Sequence, residues 1–342
     1  MRIIILCLIL FISYNSVKPV AAHALDVDST KEKVYLIASS SRYDERVIPK
    51  IKAFLYRLGY VADTRYLDQN PTLLGYVNND EKRAATLIKA LSDKNVKYLW
   101  FVRGGYGALN LYPALHENRA LISKSTRKII IGFSDVTAIH SFVNHELNWP
   151  SIHGVLAEYN KEMHELDSKK VINMNSSLIE AFQAFDKGVN YAGVEPLNSL
   201  ALKSVSGKID GGNLTLLRSF FSTIYESIYS EKIILLEDKG VSPEQLDRTL
   251  HQIQYNIKFR PNAVIFGEFH SLNAGENEAS LYRHVMQGFA KRVNYPVYYY
   301  PKFGHGKDNQ PFIMNQRADI SCGEPSGLCN LTQPPVTHDR DL

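Results

Sequence analysis

The chain is poor in cysteine and tryptophan, with three of the first and two of the second among 342 residues. So few cysteines exclude a disulfide-built scaffold. No apolar run past the first dozen residues is long enough for a membrane-spanning helix. Neither charge sign dominates: 39 basic and 35 acidic residues leave a formal net charge of +4, with no basic stripe, which argues against nucleic acid as a partner. Neither the dinucleotide G-x-G-x-x-G nor the P-loop pattern is present. His145-Glu146 begins an H-E-x-x-H motif, but Trp149 occupies its last position, so the zinc-peptidase signature is absent. There is no internal repeat and no low-complexity stretch. What remains, 45% apolar and 22% charged residues, is the composition of a globular protein with a sizeable core.

The N-terminus is of a different kind. Arg2 precedes an apolar run over 3–12, and Ala22-His23-Ala24 fits the small-x-small pattern of a signal peptidase site. Together they predict a secretory signal over 1–24. The run is too short for a stable anchor, and Cys7 lies too early for lipid attachment. Residues 1–24 carry Arg2 and Lys18 and no acid, so the charge of the remainder falls to about +2. In an exported chain Cys322 and Cys329 could close a small loop as a disulfide; two free thiols are the alternative. They lack zinc-ligand spacing.

Past the signal, VYLIAS (34–39) reads as a buried strand and 44–58 as a helix ended by Gly59. A strand begins at Tyr60. A helix follows over 81–92, then strands over 96–102 and 129–132, and a helix from about 136 to 144. Strands alternating with helices predict a parallel sheet covered on both faces, with ligands bound beyond the carboxyl ends of the strands. From 187 to 206 Gly, Asn, Pro and Ser loosen the pattern, and this segment reads as a linker. Beyond it come a glycine-rich turn (208–212), a helix (213–225), KIILLE as a strand, a helix (243–257), and strands at 263–266 and 297–300. The polar residues 330–342 read as a mobile tail. The implied domains are 25–186 and 207–329.

Four segments carry candidate chemistry. In IIIGFSDVTAIH, Ser134 sits at a strand-turn-helix elbow that would lift its hydroxyl above the sheet. The Asp135 N–H would then lie at a helix start, where it could hold an oxyanion. Val136 departs from the G-x-S-x-G pattern, and a helix-capping Ser134 or Asp135 is the plain alternative. In RGGYGA, Gly104 and Gly105 allow close backbone approach to a ligand, and Arg103 could pair with a carboxylate. Glu237 and Asp238 end the KIILLED strand, where a carboxylate could orient a histidine. His305 lies between two glycines in FGHGKDN. His140, on the helix after the elbow, reads as a packed residue, and His153 in SIHG is the rival for a catalytic base.

Taken in order, VRGGYGA, IIGFSDVTAIH, SIHG, KIDGGNLTLL, IILLEDKG with LDRTL, and FGHGKDN resemble the LD-carboxypeptidases of peptidoglycan recycling, a family that also includes microcin C immunity peptidases. The resemblance spans about 33–320. It implies an α/β fold: an N-terminal parallel-sheet, flavodoxin- or Rossmann-like domain with the nucleophile, a smaller C-terminal α/β domain, and an active site between them. It implies a Ser134–Glu237–His305 triad, oxyanion amides from Gly105 and Asp135, no metal or cofactor, and a homodimer. The expected substrate is a peptidoglycan-derived tetrapeptide or muropeptide that loses its terminal D-alanine. Arg103 and Gly104 are the expected substrate contacts.

Departures from the family pattern fall at Leu109-Asn110, at Val241-Ser242-Pro243, where a second glutamate is common, and after His305. Many family members are cytoplasmic, whereas the leader predicts a periplasmic or secreted protein without a stable membrane anchor. An immunity-type amide hydrolase and a non-catalytic muropeptide-binding protein are the competing readings.

Overall fold

The computed structural model describes residues 31–158, 176–272, 277–306, 308–323 and 327–336. The expected signal segment lies outside them. The first sheet uses β1 (Glu32–Ile37), β2 (Tyr60–Tyr66), β3 (Tyr98–Phe101), β4 (Ile129–Gly132) and β5 (Ser151–His153). Its order is β2-β1-β3-β4-β5, all parallel, with one further strand beyond β5. In β3 and β4 every residue is buried, as both faces of a central parallel strand require.

Helices cover both faces of this sheet. α1 (Ile48–Arg57) buries Ile51, Phe54 and Leu55 against Trp100 on one side. α2 (Asp80–Ser92), whose first turn is capped by the Asn79 side chain, buries Leu87 and Leu91 on the other. The short α3 (Tyr112–Glu117) and α4 (Arg119–Ile122), and then α5 (Thr137–His145), complete that second layer. α6 (Ser176–Lys187) returns to the first, where Phe182 meets Trp100 edge-on. Fully burying such an aromatic contributes roughly 1.5–3 kcal/mol.

The rest of the chain builds a closed seven-stranded barrel. Its strands are β6 (Val189–Pro196), β7 (Val205–Asn213), β8 (Lys232–Lys239), β9 (Ala263–His270), β10 (Val297–Gly304), β12 (Arg317–Cys322) and β13 (Cys329–Gln333), in the order β10-β6-β13-β12-β7-β8-β9. Tyr191, Ile209, Ile233, Ile265, Tyr298, Ile320 and Leu331, one or more from each strand, form a single cluster, which is the barrel interior. Their neighbours on β8 and β9 point outward onto α8 (Pro243–Tyr255) and α9 (Glu278–Arg292). The short α7 (Leu214–Ser219) joins β7 to that layer.

Two boundaries differ from the sequence reading. Residues 187–206, expected to be a linker, hold β6, which pairs with β10 and β13. Residues 330–336, expected to be mobile, hold most of β13 and then the buried Val336, whose N–H donates to the Phe185 carbonyl at 2.8 Å. Both segments have one wet face: in β13 Leu331 and Gln333 are buried while Asn330 and Thr332 are exposed. That alternation leaves each segment with few apolar residues.

Sheet and barrel are interleaved rather than serial. β11 (Phe312–Met314) follows β10 in the chain yet pairs antiparallel with β5 at the edge of the first sheet. Its Ile313 packs into the sheet core and its Phe312 and Met314 into the barrel core. Residues from Glu32 onward form one compact unit. Cys322 and Cys329 are joined by a disulfide across β12 and β13. Among the described residues no helix is long and apolar enough to cross a membrane.

Candidate active site

Ser134 begins the turn between β4 and α5, with φ of +62°. A non-glycine residue held in the left-handed region costs about 1–3 kcal/mol and marks a backbone fixed by its surroundings. Gly132 makes the turn possible, because a Cβ there would lie 2.8 Å from Cγ1 of Val136. The valine that departs from G-x-S-x-G thus packs where a larger residue at 132 would have been. His140 holds the strand end from beneath: its Nε2 donates to the Gly132 carbonyl at 2.9 Å, and its Nδ1 accepts from the Ser151 hydroxyl at 2.7 Å. Burial pushes the His140 pKa down to about 4, so the ring is neutral near pH 7.

Three side chains from three elements meet above this turn. His305 Nε2 lies 3.1 Å from Ser134 Oγ, and His305 Nδ1 lies 2.5 Å from Glu237 Oε2. Glu237, at the end of β8, is fully buried, and the His305 side chain is 4% exposed. Gly304, with φ of +100°, precedes the histidine where any Cβ would lie 2.6 Å from that of Glu237. The loop is pinned to the first sheet by Asn309, which accepts from the Gly304 N–H and donates to the Gly154 carbonyl, both at 3.0 Å. Phe133 packs on the imidazole with ring centroids 4.8 Å apart.

The glycine-rich loop after β3 lies beside Ser134. A Cβ at Gly104 would come within 3.2 Å of that of Ser134, and one at Gly105, where φ is +104°, would overlap the Ser41 hydroxyl. The buried Asp135 ties this loop to the elbow, accepting from the Ala108 N–H at 2.8 Å. Burial raises its pKa against the hydrogen bonds it accepts. Arg83, fully buried, donates to the carbonyls of Ser39 and Gly107 and pairs with Asp80, which fixes the far end of the loop. Arg103 lies at the crevice with its side chain 44% exposed, 3.0 Å from Glu158.

These groups open onto a crevice of about 420 Å³, between the ends of the first sheet and the barrel strands β7 and β8. Several of its wall residues escaped sequence reasoning: Asn213, Lys239, Leu272 and the exposed Tyr106. Asn213 caps α7, and its amide donates to Asp238 at 2.8 Å. Asp238 also accepts from the Thr215 N–H and hydroxyl and from the Lys239 N–H. Burial, then the neighbouring Glu237 charge, raises its pKa. The signal for Asn213 and Lys239 was their place inside GGN and EDK; neither type alone marks a site. His153, the rival base, reaches no hydroxyl. It is fully buried among Phe133, Phe303 and Gly212, neither ring nitrogen has a hydrogen-bond partner among the described residues, and burial holds its pKa well below the usual range.

Comparison with known proteins adds findings of three kinds, from family models, sequence relatives and solved structures. Residues 34–154 match the family model for the LD-carboxypeptidase N-terminal domain, and residues 206–320 that for its C-terminal domain. A putative carboxypeptidase of Rickettsia conorii is 34% identical over 247 residues, covering 71% of this chain and 74% of that protein. The murein tetrapeptide carboxypeptidase of Pseudomonas aeruginosa is 28% identical over 269 residues, covering 77% and 82%. Among solved structures, muramoyltetrapeptide carboxypeptidase from Oxalobacter formigenes shares the fold, with a TM-score of 0.73 over 88% of this chain and 98% of that one, at 21% identity.

Proposed function

The chain belongs to the LD-carboxypeptidase family of peptide hydrolases, and from that premise we propose that it is a serine-type carboxypeptidase that removes the terminal D-alanine from peptidoglycan tetrapeptide stems or muropeptides. The observation that carries this reading is the hydrogen-bonded sequence Ser134–His305–Glu237 at the floor of the crevice. A hydroxyl, an imidazole and a buried carboxylate in that order form the arrangement needed for acyl transfer at neutral pH.

In this mechanism Ser134 Oγ attacks the carbonyl carbon of the last peptide bond while His305 Nε2 accepts its proton. Glu237 holds the proton on Nδ1, which keeps Nε2 free to accept, and offsets the charge of the imidazolium. The oxyanion of the tetrahedral intermediate accepts from the backbone N–H groups of Asp135 and Gly105. The inverted backbone at Ser134 and the packing of the glycine loop against it support that assignment. His305 then protonates the departing amine, the C–N bond breaks, and D-alanine leaves. Water, deprotonated by His305, resolves the acyl-enzyme and restores the Ser134 hydroxyl. Arg103, beside Gly104, is the cation for the terminal carboxylate, with Glu158 positioning its guanidinium. The reading includes export by residues 1–24 and action as a homodimer.

The test follows D-alanine release from purified murein tetrapeptide by mass spectrometry, with Ser134→Ala alongside. Release by the parent and none by the variant is expected. No release by either, from tetrapeptide or from anhydro and reduced muropeptides, would overturn the assignment and favour another amide substrate or binding without turnover.

A further inference from the structure

Beyond the catalytic crevice lies a second recess that the mechanism does not use. Its volume is about 200 Å³, and it shares Thr215, Asp238, Gly240 and Val241 with the crevice wall, so the two adjoin. It is cut between α7 and α8, and each helix sends one arginine into it: Arg218 from α7 and Arg248 from α8. Arg218 Nη1 donates to the Thr249 hydroxyl at 3.1 Å, a neutral contact that fixes its guanidinium without using its charge. Among the described residues neither arginine lies within ion-pair distance of a carboxylate, and both are exposed at the recess rather than covered by packing.

Asp238, Asp247 and Glu244 are the acidic groups nearby, and Glu244 accepts from the Ser242 hydroxyl. Asp238, the one carboxylate among the described residues that line the recess, accepts from Asn213, from Thr215 twice and from the Lys239 N–H. Asp247, adjacent to Arg248 in sequence, faces His251 and Arg292 instead. The recess therefore sets two guanidinium groups against one lining carboxylate, Asp238, whose oxygens already accept four hydrogen bonds, and it adjoins the crevice that contains Ser134. Two guanidinium groups around a small polar pocket match a carboxylate, which each can meet with paired N–H donors.

We propose that this recess is a substrate subsite in which Arg218 and Arg248 bind a carboxylate of the stem peptide distant from the scissile bond. This rests on the peptidase reading above and adds to it the feature of the substrate that is selected. A stem tetrapeptide offers two such groups besides its terminal one. One is the α-carboxylate left free by the γ-linked glutamate; the other is the distal carboxylate of diaminopimelate. Wall peptides in which the relevant group is converted to the amide would be poor ligands, because the two guanidinium charges would then face a neutral group.

The experiment separates this subsite from the chemistry. The full chain carrying Ser134→Ala is titrated calorimetrically with tetrapeptide bearing free carboxylates, and with the two forms in which the glutamate or the diaminopimelate carboxylate is amidated. One amidated form is expected to bind about 10- to 100-fold more weakly, the range for charge-assisted hydrogen bonds. Adding Arg248→Gln or Arg218→Gln is expected to bring the free acid down to the affinity of that amide and to leave the amide unchanged, with Arg248→Lys restoring part of the difference. Equal affinity for all three forms, a loss on arginine replacement that is the same for acid and amide, or no binding of any form overturns the subsite. Turnover by the protein with Ser134 intact is scored separately: absent D-alanine release with intact acid-over-amide discrimination would overturn the peptidase reading alone.

Discussion

Replacing Glu237 by glutamine separates the shape of the site from its charge. The carboxylate is fully buried, and its Oε2 lies 2.5 Å from His305 Nδ1. Its Oε1 has no hydrogen-bond partner among the described residues, so His305 is the group that orients it. Glutamine preserves the volume but can present an amide N–H to Nδ1. The imidazole then carries its proton on Nε2, the nitrogen 3.1 Å from Ser134 Oγ, and cannot act as a base toward the hydroxyl. The equivalent carboxylate-to-amide change in a Ser-His-Asp enzyme lowers kcat about 10⁴-fold, roughly 5 kcal/mol of transition-state stabilisation. The same loss is expected here, with little change in KM.

Because glutamine removes a buried charge, the urea midpoint should hold or rise. The adjacent Asp238→Asn is the internal control. Asp238 serves Asn213 and Thr215 rather than His305, so it should lower kcat far less. D-alanine release by mass spectrometry reads both variants. If Glu237→Gln keeps activity within tenfold of the parent, or Asp238→Asn loses more, the assignment of the orienting carboxylate is wrong.

Other expectations follow from the same contacts. Asn309→Ala removes both bonds that pin the His305 loop to the first sheet; kcat should fall at least tenfold while KM is retained, and equal kcat in the two proteins would refute the pinning. Asp210 joins His145 of α5 to Lys232 of β8 at 2.8 and 2.5 Å. Burial alone would raise its pKa, but the interactions with His145 and Lys232 outweigh that and hold it well below the carboxylate range. A depressed folded pKa contributes stability that is complete above the unfolded value near 4 and is lost as pH falls below it. Asp210→Asn should therefore cost about 3–5 kcal/mol at pH 7, and urea melts should show the gap to the parent narrowing from about pH 4 downward. The Cys322–Cys329 bridge closes a sequence separation of 7, worth about 2–3 kcal/mol in chain entropy; the Cys322→Ser, Cys329→Ser double variant should unfold at lower urea, and reductant should shift the parent alone.

The parallel sheet was legible because its strands are buried on both faces and read as unbroken apolar runs, IIIG and YLWF among them. The elbow, the glycine loop and the FGHG loop were legible because each demands residues that can take unusual backbone or expose a side chain. What failed was everything set by distant pairing. β6 and β13 bury every second residue and borrow the rest of their stability from each other. The barrel closes through the β10–β6 and β12–β7 pairs, which join segments about a hundred residues apart and leave no local mark. β9 and β10 ran several residues beyond their apolar cores, to His270 and Gly304. The helix expected over 213–225 ends at Ser219. His153 looked available because sequence cannot show that Phe133 and Phe303 enclose it.

The strand β11 bears on how the protein is made. During synthesis the nucleophile elbow emerges more than 150 residues before His305, and β5 has no edge partner until residues 312–314 appear. Closing the barrel takes still later residues, because β13 sits between β6 and β12. A nascent chain therefore has Ser134 and Glu237 without the His305 that both contact until almost the whole polypeptide has been made. On the proposed assignment, order of synthesis leaves the nucleophile without its base until the late strands are made, and truncation before Gln333 is expected to yield a product with no D-alanine release by mass spectrometry.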